Sequence, residues 1–230
     1  MESPNSDLKP DLKHVLCAID LGPTTEVALQ EADRVARRYG ATLTVLHAMP
    51  DGFPGVSMSP GGSETAILAQ QEMVRDVGGF IANKIGEVME RSNDQVEVEV
   101  EAGTPHELIV NRADEIHAGV IVVGTGGGDA PSTDGKALLG SVAAHVTRRA
   151  GTSVLVARPR KVGGPVVAAT DFSDLAPIVL RAAYAEAVGR SAPLVVLHSL
   201  MPDLSALAMG DTMAPSVILE DEARAATVPQ

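Results

Sequence analysis

The sequence predicts an α/β protein: a doubly wound, five-stranded parallel sheet in the order 3-2-1-4-5, followed by a partial second copy of the same unit. Three observations predict it. Short apolar, β-branched runs alternate with stretches of helical periodicity from His14 to Ala157, and short connections between them require parallel strands with helices on both faces. The apolar fraction is 45%, mostly Ala, Val, Leu and Ile, with only Phe53, Phe80, Phe172, Tyr39 and Tyr184 as aromatics, which suits helices packed on a parallel sheet. Between Val120 and Val142 an apolar run passes through Gly124, Gly126, Gly127 and Gly128 and re-enters regular structure at Leu139-Gly140-Ser141. That strand, loop and helix pattern lets backbone approach a ligand and presents free N–H groups to an anion.

Taken in order, Met1 to Lys13 reads as a disordered lead-in rich in Pro, Asp and Lys. His14 to Ile19 is the first strand and stops at Asp20. Gly22-Pro23-Thr24 then turns the chain with a hydroxyl N-cap into a helix reaching Tyr39, whose stripe is Ala28, Ala32, Val35 and Tyr39 and whose stop is Gly40. Ala41 to Ala48 is the second strand, and Met49 to Gly62 an irregular loop. Ser63 caps a long helix to about Arg91 with Ile67, Val74, Val77, Ile81, Ile85 and Val88 inward, weakened by Gly78-Gly79. QVEVEVE from Gln95 to Glu101 alternates strictly, so it is an edge strand with valines covered and glutamates in water.

Thr104 caps and Pro105 opens the next helix, with Leu108, Ile109, Ala113 and Ile116 on its apolar side and Gly119 at its end. The fourth strand follows to Gly124, a helix runs from Lys136 to Arg149, and Ser153 to Ala157 is the fifth strand. With strand order reversing between strands one and four, the ligand crevice lies at their carboxyl ends and brings Asp20 and the glycine loop together.

Composition narrows the partners. A net charge of −12 disfavours nucleic acid and anionic membrane surfaces, because like charges repel over a Debye length of about 8–10 Å. Cys17 is the single cysteine, so no internal disulfide forms and a reducing compartment, the cytoplasm, is the expectation. No apolar run approaches the ~18 residues of a membrane span, and the N-terminus shows no charged-then-apolar leader. Two phosphate motifs fail: around Gly135-Lys136 the P-loop positions are Ala130 and Ala137, and the third glycine of a dinucleotide fingerprint falls on Asp129 or Pro131.

Arg158 to Gly164 reads as a linker, after which the beginning recurs. At an offset of 151, Val15 matches Val166, Ala18 matches Ala169, Asp20 matches Asp171, Leu43 matches Leu194, and Val45-Leu46-His47 matches Val196-Leu197-His198. The repeated portion is strand, helix and strand, then a Pro/Met/Gly-rich loop and the first turns of a helix from Ser216. The domains expected are 14–158 complete, 159–164 linker and 165–230 partial.

HVLCAID with its following helix, TLTVLHA, GTPHELIVNRADEIHAGVIVVGT, LLGSVAAHVTRRAGTSVLVARP, and the second VVAATDFSD with LVVLHSL together resemble a tandem universal stress protein with an incomplete second module. The family signature is a glycine, two residues, a glycine, nine residues, then Gly-Ser or Gly-Thr. Gly124, Gly127 and Gly140-Ser141 fit it, except that twelve residues separate Gly127 from Gly140. The resemblance implies a flavodoxin-like sheet of the adenine nucleotide alpha-hydrolase type. It implies a stress-response regulator binding ATP, with Mg²⁺, in the first module. Ala18, Ile19, Asp20 and Ala48 would border adenine and ribose, while Val123, Gly124, Gly127, Gly140, Ser141 and Val142 would surround the sugar and phosphates. The alternative reading is a member that has lost nucleotide binding through the longer loop and acts as a homodimer or through sheet-edge association with other proteins; a third is a phosphoryl- or adenylyl-transferring relative. Hydrolysis is expected to be slow and incidental, since no dedicated general base is visible.

The remaining polar residues have plainer readings beside functional ones. Asp20 orients a ribose or Mg²⁺, or caps its own turn; Asp171 is read as a cap. Asp129 and Asp134 are solvated loop acids unless Mg²⁺ intervenes, and Lys136 is a solvated helix-start lysine or a phosphate contact. His47 and His198 are packed or hydrogen-bonded strand residues. His106, His117 and His145 have no ligand-spaced partners, His14 with Cys17 makes no metal site, and no catalytic triad is supported. Met49, Met58, Met201, Met209 and Met213 cluster in corresponding loops as gap-fillers or a soft surface.

Overall fold

Parallel strands covered on both faces must be apolar at consecutive positions, and the central strand of this protein meets that condition. The computed structural model describes residues 12–49, 64–89, 96–126, 139–159 and 163–199. They fall into two compact units, one spanning Asp11–Arg160 and one containing Lys161–Gln230.

In the first unit, β1 (His14–Ile19), β2 (Thr42–Met49), β3 (Val96–Ala102), β4 (Val120–Gly124) and β5 (Ser153–Ala157) form one parallel sheet in the order β3-β2-β1-β4-β5. The helices α1 (Thr25–Tyr39), α2 (Glu64–Val88), α3 (Pro105–Glu115) and α4 (Ser141–Arg149) connect them. Side chains alternate across each strand. Val15, Cys17 and Ile19 join Val120 and Val122 under α1 and α2, with Leu29, Ala32, Ile81 and Ile85. Leu16 and Ala18 join Ile121 and Val123 under α3 and α4, with Ile109, Ala113, Ala143 and Val146. The doubly wound sheet and its order are those expected.

Several boundaries move, each for a local reason. The lead-in ends earlier than Lys13: the Lys13 carbonyl accepts from the Thr42 backbone N–H at 2.9 Å, and Leu12 packs so close beneath Gly119 that a Cβ there would meet Leu12 Cγ at 2.9 Å. Residues 1–11 lie outside the described ones. Met49 belongs to β2 rather than to the loop, because it pairs with Ala102 and is buried. The long helix closes at Val88, not Arg91, and is continuous through Gly78-Gly79, so packing of Ile81 and Ile85 outweighs the glycine penalty of ~1 kcal/mol each. Ser63, its expected cap, is outside the described residues.

Thr24 and Thr104 occupy the N-cap positions of α1 and α3, but neither side chain makes a cap hydrogen bond. Their carbonyls do the ordering instead, accepting from Ala28 and Leu108. Gly119 does not end α3; the reversal falls at His117, which adopts a left-handed φ of 49°. Gly40 behaves as expected, with φ 65° capping α1.

The edge strand departs from strict alternation at Glu99. Its carboxylate is drawn out of solvent by Arg112 of α3, whose Nε donates to Oε2 at 2.8 Å while Nη2 bonds Oε1. This two-pronged pair ties α3 to β3, and it raises the Arg112 pKa further above its ordinary value, the hydrogen bond to Glu99 being the main cause. Lys84 of α2 reaches Glu26 of α1 at 2.6 Å and ties the helices of the opposite face.

The second unit holds β6 (Val166–Ala169), α5 (Ala176–Arg190) and β7 (Leu194–Leu197), a two-stranded parallel sheet with its crossover helix. It repeats the β1-α1-β2 geometry at the offset of 151. Leu21 and Phe172 share left-handed φ values of 58° and 60°, and Gly40 and Ser191 share left-handed caps. The loop and helix expected after β7, the corresponding methionine loops beyond Met49, and the expected helix from Ser216 lie outside the described residues.

Two outcomes follow from this packing. Ile85→Ala should cost about 2–5 kcal/mol in urea unfolding, whereas Phe80→Ala, at a position 58% exposed on the same helix, should stay within ~0.5 kcal/mol. Burial pushes the Cys17 thiol up to about 12 from 9.0, so Ellman's reagent should not titrate it at pH 8 until the protein is unfolded. Because the unfolded thiol releases its proton first, stability should fall as pH rises from about 9 towards 12, and Cys17→Ala should flatten that slope.

Candidate functional site

Because every strand of a parallel α/β sheet feeds a helix, the carboxyl ends of the strands and the N-termini of the helices lie on one side. Here β1 pairs with β2 on one edge and β4 on the other, Ala18 lying opposite Leu46 and Val123. The chains leaving β1 and β4 depart to opposite faces, and between them opens a cavity of about 520 Å³. This volume is in the range of small-molecule sites.

The structure brings together nine of the ten residues expected there: Ala18, Ile19 and Asp20 from the end of β1, Ala48 from β2, Val123 and Gly124 from β4, and Gly140, Ser141 and Val142 at the start of α4. Gly127 lies outside the described residues, as do Asp129, Asp134, Lys136 and the longer loop itself.

Close backbone approach shapes the β4 side. A Cβ on Gly124 would lie 2.3 Å from Thr24 Oγ1, so the α1 entry turn can sit against the strand end only if position 124 has no side chain. Beyond it, Gly126 (φ 91°) and Gly140 meet backbone to backbone: a Cβ on Gly126 would fall 2.9 Å from Gly140 Cα, and one on Gly140 would fall 2.8 Å from the Thr125 carbonyl. The Gly140 N–H donates to that carbonyl at 2.6 Å. This contact also corrects the helix start. Leu139 and Gly140 are not helical, and α4 begins at Ser141 rather than Lys136 because extended Gly140 (ψ 156°) is held against Gly126.

The first intrahelical bond of α4 runs from the Ala144 N–H to the Gly140 carbonyl. The N–H groups of Ser141, Val142 and Ala143 therefore precede the ladder and lie at the cavity wall with the positive end of the helix dipole.

Asp20 does part of its expected alternative task, as its Oδ1 accepts from the Gly22 N–H at 2.9 Å and shapes the left-handed turn at Leu21. Oδ2 receives no hydrogen bond among the described residues. His47 is hydrogen-bonded as expected, its Nδ1 lying 2.9 Å from the Ile19 carbonyl, which requires the proton on Nδ1. It also lines the cavity.

Residues not anticipated from sequence include Thr24, Thr25 and Ala28 of the α1 entry, Pro105 and Ile109 of α3, Leu46 and Ala143, while Gly126, expected in the glycine loop, joins them. The GPTT and GTP helix starts were the only local signal for the residues at those two helix entries. Thr25 carries information: it is buried, and its hydroxyl has no hydrogen-bond partner among the described residues. Such an orphan at a cavity wall fits a site that a polar ligand completes.

Outside the cavity, His106 and His145 stack ring to ring with centroids 4.7 Å apart, a pairing across α3 and α4 that spacing in the sequence does not reveal. Among the described residues no group of three or more His, Cys, Asp or Glu is placed to hold a metal. No helix among them is long and apolar enough to cross a membrane.

The family model described as the universal stress protein family matches residues 11–158. Among solved structures, a hypothetical protein studied for structure-based assignment of biochemical function is 22% identical, with TM-score 0.51, covering 66% of this chain and 99% of that one. A universal stress protein in complex with cAMP is 22% identical, TM-score 0.49, covering 66% and 100%. One from Archaeoglobus fulgidus in complex with dAMP is 22% identical, TM-score 0.38, covering 64% and 98%. No curated protein matches. With the matched model spanning more than half its length and the sheet order described above, the chain belongs to the universal stress protein family.

Proposed function

We propose that the first unit binds an adenine nucleotide, ATP, as a regulatory protein of the stress response in the cytoplasm. The observation that carries this reading is the Gly126–Gly140 contact, which holds the open N-terminus of α4 at the wall of an apolar cavity that Asp20 also lines. The lining suits a nucleotide part by part. Ala18, Leu46, Ala48 and Ile109 offer an apolar wall to a flat base, and Asp20 Oδ2 can accept from ribose hydroxyls. The leading N–H groups of α4 and the Ser141 hydroxyl would take phosphate oxygens.

Mg²⁺ would be held chiefly by the phosphates, with Asp20 the one carboxylate among the described lining residues. Of the titratable side chains there, Asp20 is engaged by the Gly22 N–H and His47 by the Ile19 carbonyl, with no hydrogen bond between the two, and hydrolysis would be slow. The repeated hydrogen bonds of β6-α5-β7 support reading 165–230 as a partial second module. The alternative, association as a homodimer or with another protein, is favoured by β5, whose half-buried Val154, Leu155 and Val156 lie in an edge strand of the sheet.

Isothermal titration with ATP and low-millimolar Mg²⁺ tests this. Saturable heat is expected, abolished by Gly140→Val, whose Cβ would strike the Thr125 carbonyl. Thr25→Val, which keeps shape and removes the orphan hydroxyl, should leave the unfolding transition near that of the parent or raise it while weakening ATP about 5–10-fold. Heat-free titration of a protein with an intact circular dichroism spectrum overturns nucleotide binding. Release of ADP or AMP at several turnovers per second would overturn its non-enzymatic character.

A further inference from the structure

His106 is the second residue of α3 and His145 the fifth of α4, helices that share one face of the sheet and bury Ile109, Ala113, Ala143 and Val146 together. That packing sets the two imidazoles ring to ring, with centroids 4.7 Å apart and planes inclined at 30°. Neither ring lines the cavity, and nucleotide binding gives neither a task.

What sets this pair apart from two solvated side chains is how the rings are held. His145 Nδ1 lies 2.7 Å from the Ser141 carbonyl. A carbonyl oxygen only accepts, so the proton sits on Nδ1 and Nε2 keeps its lone pair. A metal-bound imidazole has the same tautomer and the same kind of tether. His106, by contrast, makes no hydrogen bond among the described residues, so nothing there fixes which nitrogen it presents. His106 is half-buried and His145 exposed, which leaves the pair open to an ion from solvent.

The spacing suits a shared ion. With metal–nitrogen bonds of about 2.0–2.1 Å, two imidazoles on one ion, at angles from a right angle to a tetrahedral one, hold their ring centres about 4.5–5.2 Å apart. The separation of 4.7 Å falls within that range. Convergence of both lone pairs requires the planes to open beyond 30°, a rotation left to the untethered His106 ring. Glu107 is turned to Arg149 at 3.9 Å, and among the described residues no third His, Cys, Asp or Glu joins the pair. Water would fill the remaining positions. Imidazole nitrogen is a donor for zinc, copper and nickel, whereas Mg²⁺ takes oxygen.

We propose that His106 and His145 form a site for one divalent transition-metal ion of the Zn²⁺ class, which clamps α3 to α4. The site does not depend on what fills the cavity. It bears on the cavity all the same, because Pro105 beside His106 and Ser141, whose carbonyl holds His145, both line it. The clamp would fix the separation of two cavity walls.

The test uses the full chain, labelled with ¹⁵N, stripped of metal with a chelator and titrated with ZnCl₂ near neutral pH while the imidazole nitrogens of all six histidines are followed. Zn²⁺ should move His106 and His145 together and saturably at one ion per chain, displacing Nε2 of His145 while its Nδ1 stays protonated. Mg²⁺ at the same concentration should move neither. His106→Gln and His145→Gln should each weaken Zn²⁺ at least about tenfold and remove the rise in thermal midpoint that Zn²⁺ gives the parent. Shifts of His106 and His145 that saturate independently, larger shifts at another histidine, or undiminished Zn²⁺ affinity in either variant overturn the site. The shifts are read on the parent protein, so a variant that misfolds does not decide the outcome.

Discussion

The constraint on which the first unit depends is the position of β1, paired in parallel on both edges and buried on both faces. Every other element is placed by it. α1 and α2 cover Val15, Cys17 and Ile19, whereas α3 and α4 cover Leu16 and Ala18. A strand in this position cannot carry a charge until it leaves the sheet, and the first acid after it, Asp20, stands where the β1 and β2 connections diverge from that of β4. The cavity is thus a consequence of winding on opposite faces, and its floor is the end of a strand that stability already requires to be apolar.

Backbone contact then decides what kind of cavity it is. At the end of β4, three glycines replace side-chain packing with main-chain proximity: Gly124 admits Thr24, and Gly126 and Gly140 meet each other. A Cβ at Gly124 would strike Thr24 of the α1 entry, and one at Gly126 or Gly140 would force apart the two backbones that meet at the start of α4. At the wall of the same cavity the buried hydroxyl of Thr25 has no hydrogen-bond partner among the described residues.

The second unit shows how far local sequence carries this arrangement. Among its described residues one helix serves two strands, and Val167, Ile178 and Leu197 are each more than half exposed. Even so, the turn at Asp171, the left-handed Phe172 and the His198 to Thr170 bond reproduce the first unit. These features are set within the supersecondary unit rather than by the sheet around it.

Sequence by itself determined the strand and helix order and the sheet topology, because these rest on short-range periodicity and glycine placement; the nine described residues that line the cavity were named through the family resemblance. It did not determine which hydroxyls would cap helices. Thr24 and Thr104 occupy cap positions, but neither side chain makes a cap hydrogen bond, and Thr24 instead lies against Gly124. Nor did it reveal that Glu99 would leave water for Arg112, that His106 would stack on His145, or that Gly126 would be the residue meeting Gly140. Those are contacts between elements distant along the chain. They were decided only when the parallel sheet packed these elements side by side, because periodicity encodes which face a residue occupies but not what the facing element places opposite it.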